Sequence, residues 1–193
     1  MTGFHTLRAP MREIFIGNAS LLICSLLYLA WWVVTFKPGC SGMRNGAYYL
    51  AGAFITGIAA IILMSAGINA LSSQSSGTPV RYIIIAGTVL YAVLFIITNK
   101  TFHRRTTSEL IIIIIWAVIE VCAITVLNGT GRLSSGQTLL LSVLAGLATV
   151  VGLICYVAYY RLNALASYLI GMIPLITDVA VMVVVLGVMA WKG

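Results

Sequence analysis

Residues 110–127 read LIIIIIWAVIEVCAITVL, an apolar run of eighteen residues broken by one acid, Glu120, and one hydroxyl, Thr125. A hydrocarbon layer about 30 Å thick is crossed by about 20 residues rising 1.5 Å each. A half-buried strand or barrel strand would alternate apolar and polar residues. The helix of a soluble domain would keep a charged face toward water. This run does neither, and it is read as a helix whose solvent is lipid.

Five further runs have the same character. With the first they predict spans near 14–36, 47–71, 80–99, 108–127, 137–160 and 164–191. The connectors are short and rich in breakers, as in Lys37-Pro38-Gly39, Ser76-Gly77-Thr78-Pro79 and Asn128-Gly129-Thr130-Gly131. Short connectors make consecutive helices antiparallel neighbours and leave no room for a separate soluble domain. The expected fold is all-α, a single transmembrane domain over residues 1–193. Composition agrees: the chain is 61% hydrophobic and 8% charged, against about 25% charged for a soluble domain. Too few polar groups exist to cover a globule in water. The chain is expected to be a multi-pass protein of a plasma or inner membrane, with the lipid bilayer as its first partner. A homo-oligomer or a partner subunit is also compatible with this composition.

The net charge of +7 comes from basic residues set singly at the ends of apolar runs. There they reach lipid head groups, and nucleic acid is not an expected partner. Arg8 and Arg12 precede an apolar run in the manner of a signal peptide. That run is too long and ends in Trp31-Trp32-Val33-Val34-Thr35-Phe36-Lys37-Pro38, a poor cleavage site, so it is read as a retained helix. Loops one, three and five share a side with six basic residues, and the other side has five. The dense His103-Arg104-Arg105 cluster tips the reading toward loops one, three and five inside. Trp31, Trp32, Phe36, Tyr48, Tyr49, Tyr159 and Tyr160 are expected to form an interfacial belt on that face. Two offsets hint at a 3+3 inverted repeat: Gly39 and Gly46 align with Gly129 and Gly136, and Asn69-Ala70-Leu71 with Asn163-Ala164-Leu165. Matches of this kind also arise from composition alone.

Several chemistries are excluded. The two histidines, His5 and His103, lie outside the predicted spans, so no intramembrane bis-histidine haem is built and no cofactor is expected. No His-Glu-x-x-His motif occurs. Lys37, Lys100 and Lys192 all lie outside the hydrocarbon, leaving no lysine for a buried Schiff base. Asp178 is the sole aspartate, so a two-aspartate protease cannot form. Gly39-Cys40-Ser41-Gly42 resembles a nucleophile motif, but no intramembrane histidine can serve as its base, and it reads as a turn. The four cysteines form neither a disulfide framework nor a zinc spacing.

What remains is two acids in an apolar solvent. Glu120 falls within the fourth predicted helix and Asp178 within the sixth. An ionisable group at mid-membrane costs roughly 2.5–3.5 kcal/mol on insertion scales, and such groups face a bundle interior or a water-filled cavity. Both helices start from the same side, and both acids lie roughly 18–21 Å from it at 1.5 Å per residue. Ser167, Gly171, Pro174 and Asp178 share one stripe; Glu109, Trp116, Glu120 and Ala123 share another. Pro174 has no N–H and frees the Ile170 carbonyl, a cation or donor ligand in broken transporter helices. Ser25, Thr88 and Thr149, with Ala59, Ala60, Gly87 and Ala148, lie at comparable depth. Small residues there allow either a cavity over the acids or the close packing expected of Ala53-x-x-x-Gly57, Ser142-x-x-x-Gly146 and Ala148-x-x-x-Gly152.

Glu120, Asp178, Pro174, Ser25, Thr88 and Thr149 are therefore the candidate ion or ligand site. The leading expectation is a small-solute or ion transporter or channel. The alternatives are a non-catalytic subunit or sensor serving another membrane protein, and a lipid-modifying enzyme, for which the sequence supplies no nucleophile.

Overall fold

The computed structural model describes residues 8–37, 43–75, 80–102, 108–159 and 161–191. The Gly39–Gly42 turn, residues 76–79, the His103-Arg104-Arg105 cluster, Tyr160 and Lys192 lie outside the described residues. Six helices account for nearly all the rest: α1 (Arg8–Phe36), α2 (Met43–Ser72), α3 (Val80–Phe102), α4 (Ser108–Gly129), α5 (Ser135–Tyr159) and α6 (Ala164–Trp191). All six are long and apolar enough to cross a membrane. Several overrun the predicted spans: α1 starts at Arg8, α2 starts at Met43 and α3 runs to Phe102. Apolarity marks only the hydrocarbon layer, whereas backbone hydrogen bonding continues into the head groups, where Arg and Tyr are at home.

The connections after α4 and α5 are tight because local polar groups cap the helix ends. Gly131, at φ 70°, turns the chain out of α4, and the Arg132 N–H reaches back to the Leu127 carbonyl at 2.9 Å. A reciprocal cap opens α5: the Ser134 N–H donates to Gln137 Oε1 at 3.1 Å, and the Gln137 N–H donates to Ser134 Oγ at 3.4 Å. At the start of α6 the Ala166 N–H donates to Asn163 Oδ1 at 3.0 Å.

The helices pack in the pairs α1–α2, α2–α4, α4–α5, α5–α6 and α6–α1. Five helices thus close a ring. The third is not a member: α3 packs on α4 and makes little contact with α2, its neighbour in sequence. Helix pairing therefore differs between the two halves of the chain, since α5 packs on α6 while α2 does not pack on α3. Hydrophobicity gives no net drive between helices in lipid, and close approach depends on small residues. The α1–α2 seam shows this most clearly. A Cβ at Gly67 would stand 2.8 Å from the Pro10 carbonyl oxygen, a backbone atom that cannot yield. Further along, the Cys24 S–H donates to the Ala53 carbonyl at 3.1 Å. The Ala53–Gly57 stripe lies in this seam, and Ala148 and Gly152 are buried on α5. The Ser142–Gly146 stripe does not pack as expected: both residues are exposed, and a Cβ at Gly146 would meet nothing within 4 Å.

The two membrane faces can now be named. Phe36, Met43, Phe102, Ser108, Tyr159 and Ala164 end their helices at the aromatic face; Arg8, Ser72, Val80, Gly129, Ser135 and Trp191 do so at the opposite face. Toward the opposite face the ring is filled by Ile14, Met64, Leu71, Leu141 and Met182, all fully buried. Outward-pointing residues such as Ile62, Ile85, Val89, Leu139, Ile154 and Leu169 are exposed, which in a bilayer means lipid contact.

Candidate functional site

The orientation of α4 sets the first acid. Trp116, Glu120 and Ala123 form its buried stripe, while Ile111 and Ile115 face lipid. Glu120 has no exposed surface at all (0%), and among the described residues neither of its carboxyl oxygens has a hydrogen-bond partner. Asp178 on α6 is 9% exposed. It stands close enough to act electrostatically on Glu120. The helices α4 and α6 are not a closely packed pair, so the acids look across the ring interior, at similar depth.

Asp178 also lines a cavity of about 50 Å³. Its walls are Tyr28 and Trp32 from α1, Tyr156 and Tyr159 from α5, Ile112 and Ile113 from α4, and Gly171 and Pro174 from α6. It runs from the level of Tyr159 and Trp32, near the aromatic face, down to the aspartate. A space of this size holds one or two water-sized groups. Trp32 is fixed in its wall. Its indole N–H donates to the Tyr168 carbonyl at 3.1 Å, and its ring meets that of Tyr159 edge-on at 6.1 Å. The ring packs against Gly171, where any Cβ would collide with it. The expected belt is corrected here: Trp32, 3% exposed, is an interior wall, while Phe36, Tyr48 and Tyr49 remain at the surface. Trp32 turns inward because Gly171 leaves it room and a carbonyl of α6 accepts its proton.

The other predicted site residues divide. Pro174 lines the cavity with Asp178, and α6 passes through it without a break. Ser25 is half-buried on α1 but is not part of the cavity wall. Thr149 is half-buried, and its hydroxyl donates within its own helix to the Ala145 carbonyl at 2.8 Å. Thr88 is exposed on α3, and its hydroxyl donates to the Ile84 carbonyl at 2.9 Å. The helix that carries it lies outside the ring, so the structure does not bring Thr88 to the acids.

Sequence reasoning missed the aromatic walls and one further polar residue. Asn18 on α1 is fully buried; its Nδ2–H reaches Met64 Sδ at 3.6 Å, and its Oδ1 has no partner among the described residues. The Trp116 indole N–H is likewise buried without one. The available signals were an asparagine inside an apolar run and two aromatic pairs at helical spacing, Tyr28 with Trp32 and Tyr156 with Tyr159. A buried polar group without a partner costs about 1–3 kcal/mol. Native proteins keep few, and those they keep ask for a functional reason.

The chemistry of the site is one-signed. Two carboxyl groups and the negative faces of aromatic rings share one interior, and among the described residues no lysine or arginine lines the cavity. Among the described residues no three of His, Cys, Asp and Glu gather in one place. Such a site suits a proton or a small cation better than an anion. The fold and site together define a multi-pass α-helical membrane protein with an acidic interior. Comparison with protein families, curated proteins and solved structures finds no match for the chain.

Proposed function

We propose that this protein moves protons or a small monovalent cation across its membrane, with Asp178 meeting the ion first and Glu120 receiving it at the centre. The observation that carries this reading is the one-sided cavity. It lies between the level of Trp32 and Tyr159 and that of Asp178, while Met64, Leu141 and Met182 fill the ring beyond. A site reached from one side and closed on the other is what alternating access needs. The aromatic rings on the way supply a surface on which a partly dehydrated cation is held by cation–π attraction. Pro174 adds an unpaired backbone carbonyl one turn before it, on the helix that carries Asp178.

The test is flux into sealed liposomes containing the purified protein under an imposed membrane potential. Proton entry is followed by an internal pH dye, and sodium or methylammonium entry by isotope. The unsubstituted protein is expected to give a pH-dependent flux of at least one of these. Glu120→Gln and Asp178→Asn should each reduce it about tenfold or more, and the double variant should match empty liposomes. Undiminished flux in the double variant, or no flux of any of the three ions with the unsubstituted protein, overturns the proposal.

A further inference from the structure

A cavity of about 640 Å³ among the described residues lies outside the ring. It lies in the gap that α2 and α3 leave by not packing together, and α4 forms its floor. Its wall is graded. Asn69, Ser72 and Arg81 stand at the rim on the opposite face, and Val118, Ile119 and Cys122 line the depth. The rim residues sit within a turn of the ends of α2 and α3, at head-group level. Val118 lies eleven residues inside the end of α4, roughly 16 Å lower. The cleft then continues into a shallower groove of about 260 Å³ between α3 and α4, which shares Ile84, Val118 and Ile119 with it. Both open sideways toward lipid.

The rim carries a positive charge with no carboxylate partner among the described residues. Arg81 is exposed, and its guanidinium lies 5.0 Å from the Tyr82 ring centre and donates to Tyr82 Oη at 3.5 Å. A fixed cation with hydroxyl and amide groups at head-group depth, above an apolar trough open to the bilayer, matches one class of molecule end to end. We propose that this cleft holds an anionic phospholipid, its phosphate on Arg81, Asn69 and Ser72 and one acyl chain along α4. The lipid fills the space left by the sparse α2–α3 contact and couples α3 to the ring. This site is independent of the transport reading and stands whether or not the acids move an ion.

The experiment is lipid retention by the full chain, measured by native mass spectrometry after detergent extraction and addition of phosphatidylglycerol or phosphatidylcholine in equal amounts. One basic residue near the membrane surface corresponds to about a fivefold preference for the anionic lipid. Arg81→Gln should retain both lipids equally. Ile84→Trp, which fills the trough, should reduce retention of both. The two side chains are exposed, so neither change disturbs the core. Equal retention of the two lipids by the unsubstituted protein, an unchanged preference in Arg81→Gln, or unchanged retention in Ile84→Trp each overturns the proposal.

Discussion

Between Glu120 and the opposite face, the ring interior is occupied by Ile14, Met64, Leu141, Met182 and Val185. Between Asp178 and the aromatic face, the same ring is bordered by Trp32, Tyr156, Tyr159, Gly152 and Gly171, and a cavity remains. The two regions do not differ in polarity, since both are walled almost wholly by apolar atoms. They differ in shape. Flexible methionines and branched aliphatics fill irregular space to high density, whereas flat rings, one of them packed on Gly171, leave a slot between them. Side-chain shape therefore decides which half of this bundle is open, and the acids lie where the two packing styles meet.

Changes on either side of that boundary test the contrast. Met182→Ala removes a fully buried side chain from the filled half. It is expected to cost about 2–5 kcal/mol of stability, read as a lower midpoint on thermal unfolding in detergent. If the filled half is the closed gate, the same variant should also leak ions in the liposome assay, and a tight variant would separate packing from gating. Gly171→Ala acts on the hollow half by driving a methyl group against the Trp32 ring. Overpacking of this kind costs about 1–3 kcal/mol. The displaced indole should give a shifted tryptophan emission together with a reduced ion flux. Unchanged emission would mean that the ring is not seated on Gly171. The smallest effect is expected outside the ring: Thr88→Val on α3 should change stability by less than about 0.5 kcal/mol and leave flux unaltered. A large loss of flux there would move α3 into the pathway.

The number of helices was legible because the bilayer imposes a length that few other environments do. The burial of Glu120 and Asp178 was legible for the same reason, since an ionisable group inside such a run is kept from lipid. The order of the ring was not. A helix that is apolar on every side carries little information about which side faces protein and which faces lipid. Thr88 could be placed at the right depth from its position in α3, but depth says nothing of azimuth, and it faces outward. Ser142 and Gly146 failed in the same way, as a spacing without a partner. Trp32 was assigned to the interface because aromatics near a helix end usually belong there. Gly171 on α6, 139 positions later in the chain, and the Tyr168 carbonyl beside it turn it inward.

The contact between α1 and α6 has a consequence for biogenesis. The ring is sealed by the first and sixth spans, so five helices enter the membrane before the one that completes the enclosure has been made. Until then the α4 carboxyl lies beside an open seam. A chain interrupted ahead of Ala164 would leave that acid within reach of lipid at mid-bilayer, where an ionisable group is costly.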